Sequence, residues 1–207
     1  MSRSAQAFLT SVVTLVTGLG GLLDLGGLHL AWAADAPELP PTLVINGCPI
    51  WPYTRCPGAD LRHANLSGQN LAGADLRGAL MARADLRNTN LAGAHLDGAD
   101  LSGARLNKVN APGAFFKGVN FTGADLEFGR FMRTDLSGSN FTAANLEAVR
   151  MNFAWLEGAR IVNANLQEGK FVTTNLRRAT MAGNVLRYAI FPDAVFDGCD
   201  GCPEDRQ

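Results

Sequence analysis

The sequence predicts an all-β solenoid, and two observations carry that prediction. Every fifth residue from Leu61 to Phe196 is large and apolar with one exception. Of these 28 positions 16 are Leu, seven Phe and three Met, with Ile161 and the exceptional Ala111 completing the set. Two residues before each, the side chain is small in most repeats, with Ala at 17 of the 28 positions. Neither the helical period of 3.6 nor the strand period of 2 explains an unbroken five. An internal repeat of this regularity is the signature of a solenoid, in which each unit buries its apolar side chains against its neighbours.

The unit reads small, polar, Leu or Phe, polar, then Gly or polar, as in Ala74-Asp75-Leu76-Arg77-Gly78 and Ala124-Asp125-Leu126-Glu127-Phe128. Short extended segments place the small and the large apolar residue inside and turn the polar residues outward. Gly and Asn near the corners tolerate the turn geometry. In these residues the chain resembles the pentapeptide-repeat family, whose signature is A-(D/N)-L-x-x. The resemblance implies a right-handed, four-sided (quadrilateral) β-helix with four pentapeptides per coil. It fixes the fold and little of the function.

The elements follow in chain order. Arg3 precedes an apolar, Gly-rich run from Phe8 to Leu23, and Ala31-Trp32-Ala33 resembles a signal-peptidase site. Residues 1–34 therefore read as a secretory signal, although Asp24 interrupts the apolar run and His29 follows it, which leaves an uncleaved membrane anchor or a cytosolic protein as alternatives. No other stretch is apolar enough to span a bilayer. Residues 35–58 read as a Pro-rich linker, Ala36-Pro37-Glu38-Leu39-Pro40-Pro41, and an N-terminal cap with a cysteine pair. Thr42-Leu43-Val44-Ile45 reads as a strand. Running the five-residue phase backwards places Cys56 and Trp51 inward, which makes Trp51 a candidate plug for the open end of the rod.

Residues 59–198 form the repeat domain. If four repeats make a coil, positions 20 apart stack at about the 4.8 Å strand spacing. Positions 66, 86, 106, 126, 146, 166 and 186 are indeed all Leu, and one corner supplies Gly78, Gly98, Gly118, Gly138, Gly158 and Gly198, broken only by Arg178. The expectation is about seven coils and a rod of about 30–35 Å from that spacing. Volume compensation is visible where Ala111 is followed by Phe116, a pattern that a close-packed core tolerates. No interior space is left for a ligand.

The tail, residues 199–207, carries the second cysteine pair. With the two ends of such a rod about 30 Å apart, the bridges that geometry allows are Cys48–Cys56 and Cys199–Cys202. An even cysteine count suits an oxidising compartment. The competing readings of Cys199-Asp200-Gly201-Cys202 are redox or metal chemistry. The first lacks a thioredoxin-like unit, and the second would need thiolates from both ends to converge on one ion.

Enzymatic constellations are missing. His63 and His95 have no Cys or carboxylate at ligand spacing, and there is neither a phosphate-binding Gly-rich loop nor a G-x-S-x-G elbow. Asp60, Asp75, Asp85, Asp100, Asp125 and Asp135 share one repeat position and read as structural. Asn65-Leu66-Ser67, Asn120-Phe121-Thr122 and Asn140-Phe141-Thr142 match glycosylation acceptors as by-products of the repeat. The chain reads as a non-enzyme with no cofactor and no metal, and any function falls to its surface. The best-understood proteins of the resembled family are cytosolic DNA mimics that protect type II topoisomerases, which makes inhibition or protection of a DNA topoisomerase the alternative function. Such mimicry needs a strongly acidic rod. Residues 59–198 hold 15 Lys/Arg and 13 Asp/Glu, a net charge of 15 − 13 = +2, which argues against that role and against nucleic acid as a partner.

Two surface patches stand out. The outward positions Asn70, Asn90, Asn110, Arg130, Arg150 and Lys170 stack three amides and then three cations. Like charges at strand spacing repel, so either Glu127, Glu147 and Glu168 neutralise them locally, or Arg130, Arg150, Lys170 and nearby Arg133 grip an anionic partner such as a carboxylated polymer. The second patch is aromatic: Phe115 and Trp155 face outward on one side with Asp135 between them, placed either for a partner or against a chain terminus. Phe128 and Tyr188 fall at corners three coils apart, too far to read as a patch. The expectation is an exported rigid binding or scaffold module, in the periplasm or a comparable oxidising lumen. Its partner would be an unidentified protein or anionic polymer, and its own state a monomer or weak dimer.

Overall fold

The computed structural model describes residues 43–203. The expected signal (1–34), most of the Pro-rich linker and the last four residues of the tail lie outside the described residues. The repeat builds a ladder of single-residue parallel pairings, each linking a residue to the one 20 positions later, from Arg55 with Asp75 to Thr180 with Asp200. Four such ladders run through the repeat, starting at Arg55, Asp60, Asn65 and Asn70. Where pairing extends to three residues it forms β3 (Arg160–Val162) and β4 (Thr180–Ala182), parallel in the same 20-residue register. Ahead of the ladder, β1 (Val44–Ile45) and β2 (Cys48–Pro49) make an antiparallel hairpin.

The five-residue period comes from one turn per repeat. In the first complete unit the N–H of Leu61 bonds the carbonyl of Leu80 at 2.7 Å, and the N–H of Ala64 closes the turn on the carbonyl of Leu61 at 3.1 Å. The residue two after the large apolar one takes the left-handed conformation in every repeat, whether it is Gly123 (φ 65°), Ala143 (φ 57°) or Phe128 (φ 57°). The backbone is thus held by the ladder strongly enough to impose a conformation that glycine adopts freely and other residues resist.

The outward Asp or Asn has a defined structural task. In 14 repeats its Oδ1 accepts the N–H two residues on, as from Ser67 to Asn65 (3.1 Å) and from Thr142 to Asn140 (3.0 Å). Side-chain mimicry of a turn in this way is a property of Asp and Asn. Asn110 alone among the 15 Asp or Asn residues at this position between 60 and 195 makes no such bond, because Pro112 has no N–H to give.

The core is the predicted one. All 25 phase positions from Leu61 to Met181 are buried, whereas Leu186, Phe191 and Phe196 are only half-buried. Among the described residues no rung follows the last turn, and the inward positions there are partly open. Phe131, one rung above Ala111, meets Phe116 edge-on at 5.8 Å. Gly129 and Gly169 make room for large neighbours: a Cβ at either would lie 2.7 Å and 2.6 Å from the Phe131 and Phe171 rings. Buried hydroxyls are satisfied by carbonyls of the preceding rung, Thr89 by Leu66 (2.7 Å) and Ser139 by Phe116 (2.6 Å).

The N-terminal cap corrects one expectation. Trp51 is 48% exposed and does not plug the rod. The hairpin, not a further repeat, delivers the chain to this end, and it lays Cys48 and Ile50 over the first rung instead, both buried. Asn46 at the hairpin tip donates to the carbonyl of Asp60 at 2.7 Å, and the Tyr53 ring covers Gly73 so closely that no side chain fits there. Sulfur bonds link Cys48 to Cys56 and Cys199 to Cys202.

Three Asp-Leu-Arg units add forked ion pairs within a repeat: Arg62 on Asp60, Arg77 on Asp75 and Arg87 on Asp85, each with Nη2–Oδ2 at 2.6–2.7 Å. The guanidinium hydrogen bonds hold Asp60 and Asp75 at about 2, well below the ordinary 3.8. Because these values are depressed, the pairs contribute in full above the ordinary aspartate range, and that contribution is lost as pH falls from about 4 to about 2. A carboxyl-detected NMR titration should find both groups titrating near 2. Ordinary midpoints would mean that the forks do not persist in solution.

Candidate functional site

Thirteen outward positions between 60 and 195 carry something other than Asp or Asn, and at these the turn bond is forgone. Arg130, Arg150 and Lys170 are three of them, and they are successive partners in one parallel ladder: Asn110 pairs with Arg130, Arg130 with Arg150, Arg150 with Lys170, and Lys170 with Ile190. The N–H groups of Met132, Asn152 and Val172, which an Asp or Asn would have bonded, find no acceptor among the described residues.

The amides ahead of the cations form a hydrogen-bonded stack, Asn90 Nδ2 on Asn70 Oδ1 at 3.0 Å and Asn110 Nδ2 on Asn90 Oδ1 at 3.3 Å. The stack ends at Asn110, whose own Oδ1 takes no bond from the described residues.

Among the described residues no ion pair holds the cations. The described ion pairs use Arg62, Arg77, Arg87, Arg105, Arg177 and Arg178, and none includes Arg130, Arg133, Arg150 or Lys170. The glutamates expected to screen the stripe turn elsewhere: Glu127 accepts from Asn107 at 3.4 Å and Glu147 from Asn165 at 3.1 Å. Glu168 lines the same groove as Lys170 without forming an ion pair with it. Arg133 stands 5.9 Å over the Phe153 ring, a cation–π distance.

Two residues that seemed scattered along the sequence belong here. Phe128 and Tyr188 line one shallow groove of about 480 Å³ together with Arg130, Ala148, Arg150, Glu168, Lys170 and Ile190. Phe128 is 49% and Tyr188 65% exposed. Along the chain they are 60 residues apart, but the 20-residue register puts both on the corner beside the cation stripe. Phe153 and Met132, also exposed, follow the stripe on its other corner. The face is therefore cationic along its middle, with exposed aromatic rings on both corners beside the charged Glu168 and Arg133.

Phe115 and Trp155 occupy the neighbouring ladder with Asp135 between them, as expected, and both are exposed. The sequence reading missed that Phe115 stacks flat on His95, with ring centroids 4.5 Å apart. That contact leaves Trp155 as the more independent of the two. Among the described residues no three His, Cys, Asp or Glu side chains gather as metal ligands do, and no helix is long and apolar enough to cross a membrane.

Comparison with known proteins gives a family. The sequence model described as pentapeptide repeats matches residues 59–98, 99–138, 130–161, 139–178 and 159–200. Among solved structures, one similar protein is HetL of the cyanobacterium Nostoc sp. strain PCC 7120, a pentapeptide-repeat protein involved in heterocyst differentiation regulation. It is 26% identical with a TM-score of 0.52, over 70% of this chain and 75% of that one. QnrB1, a plasmid-mediated fluoroquinolone resistance protein, is 20% identical with a TM-score of 0.43, over 71% and 83%. Rfr23 of the cyanobacterium Cyanothece 51142 is 22% identical with a TM-score of 0.38, over 70% and 90%. No curated protein matches the chain. The unbroken five-residue phase, the parallel 20-residue register and the match across the repeats place the chain in the pentapeptide-repeat family, whose fold is a right-handed β-helix.

Proposed function

We propose that this chain is an exported, non-catalytic pentapeptide-repeat protein whose rigid β-helix presents Arg130, Arg150 and Lys170, with Arg133 beside them, to an anionic partner. One observation carries the reading. Three successive outward positions hold cations that pair with no carboxylate among the described residues and that each displace the turn-forming Asp or Asn. The fold does not require them, and stacked like charges work against it. Residues that cost stability without a structural return are a mark of function. Phe115 and Trp155 would form a secondary contact on the next face.

In this reading the four ladders are the sides of a quadrilateral coil repeated about seven times. Residues 1–34 direct export and are removed, and both cysteine pairs close in the periplasm or a comparable oxidising lumen. The net charge of +2 over residues 59–198 supports an anion-binding role over duplex mimicry.

Two measurements test the reading. Retention of the full-length protein on carboxylated beads should fall, and give way at lower salt, in the Arg130→Ala/Arg150→Ala variant. Undiminished retention with the same salt dependence overturns the assignment of the stripe. The intact mass of protein from its own cells, alkylated on lysis, should lack the leader and carry no alkyl groups. A full-length mass with alkylated thiols overturns export and bridges together.

A further inference from the structure

We infer that the anionic partner of the Arg130–Lys170 face is a linear polyuronate, an acidic polysaccharide lying along the direction in which the rungs stack. This rests on the anion-binding role proposed above and narrows it to one ligand chemistry.

Three features of the face point there. The first is spacing. Neighbouring rungs are about 4.8 Å apart, so Arg130 and Lys170, two rungs apart in one ladder, repeat at about 9.6 Å. That is close to the length of a disaccharide unit in an extended uronan, the distance at which a twofold polymer returns a carboxylate to the same side. Arg150 then faces the sugar between them. An extended acidic peptide returns like-facing carboxylates about every 6.8 Å, which falls between one rung and two.

The second feature is the frame of the stripe. Phe128 and Tyr188 on one corner and Phe153 on the other expose flat apolar rings beside the cations. Pyranose rings carry apolar C–H faces next to their charges, and they match such a frame better than a uniformly hydrated polyanion does.

The third is Asn110. Pro112 takes away the N–H that would have occupied its Oδ1, so the amide stack ends, one rung before Arg130, in an acceptor that no described residue occupies. An acceptor in line with cations calls for a ligand that brings hydroxyl donors together with carboxylates. The groove is shallow and lies along successive rungs, which suits a polymer.

The test is titration calorimetry on the full-length oxidised protein with short polygalacturonate and polyguluronate fragments, and with poly-L-glutamate of matched charge. At least one uronate should bind more tightly than poly-glutamate. Phe128→Ala and Phe153→Ala, both exposed positions outside the core, should each weaken the uronate by roughly three- to tenfold while leaving its salt dependence intact. Poly-glutamate binding that equals or exceeds that of both uronates, or insensitivity of uronate binding to both alanine variants, overturns the inference and leaves an acidic protein segment as the partner of the same stripe. Failure of every polyanion to bind removes the anion-binding role as well.

Discussion

Replacing Phe121 with alanine is expected to lower the unfolding free energy by about 3–5 kcal/mol, the range for emptying a buried aromatic site. Phe121 is fully buried, stacks on Phe141 one rung away with centroids 4.8 Å apart and planes 5° from parallel, and touches Phe116 at 5.6 Å. A globular core relaxes into a new cavity from several directions. Here the rungs above and below are fixed by the ladder hydrogen bonds, and the rung itself contributes four large side chains. Each rung also couples the two halves of the solenoid, since stability in a repeat protein is carried by nearest-neighbour interfaces. Denaturant unfolding of the variant should therefore lose both midpoint and cooperativity. Phe196→Ala, in the half-open last turn, should cost much less. Equal losses at the two sites would show that the interior is not the continuous column of side chains described here.

The triple variant Arg130→Asn, Arg150→Asn, Lys170→Asn is expected to do the opposite to stability while weakening anion binding. Each asparagine supplies an Oδ1 to an N–H that now lacks an acceptor, those of Met132, Asn152 and Val172, in the geometry already used by 14 repeats. At about 0.5–1.5 kcal/mol for each hydrogen bond gained, the midpoint should rise measurably. The amide stack of Asn70, Asn90 and Asn110 would also continue along the same line, and stacked charge would be relieved. Stabilising substitutions with a cost in function are what a site retained for binding predicts. A destabilised triple variant would mean that the cations hold the fold through contacts that the structure does not contain.

Much of the architecture was legible because the repeat has one phase. Leu61 through Met181 could be assigned inward one by one, and the pairing of Arg130 with Arg150 and Lys170 followed from the 20-residue register alone. The phase failed at Trp51. There the sequence still matches the period, but the hairpin of residues 44–49 replaces the preceding repeat, and Cys48 and Ile50 reach the core end first. Counting by fives cannot see a change of chain path.

Side-chain direction was the other illegible quantity. Glu127 and Glu147 lie three residues before Arg130 and Arg150, which reads as local pairing. Their carboxylates instead reach along the corner to asparagines on adjacent rungs. Phe128 and Tyr188 read as isolated corners because they are three rungs apart, yet the groove between them is lined by the cation stripe itself. The turn-forming role of Asp and Asn was recognised only as a repeated position. Its value as a reference, against which Arg130, Arg150 and Lys170 count as departures, came with the hydrogen bonds.

The most direct test of the central claim is the salt dependence of carboxylated-polymer binding by the native protein and by the triple asparagine variant, with affinity plotted as log K against log salt. The account predicts clear binding by the native chain. In the folded, more stable variant the residual slope should be shallower by about two, at roughly 0.7 for each cation removed. Identical slopes and affinities in the two proteins would contradict it, because the stripe would then be neither structural nor the surface that meets an anion.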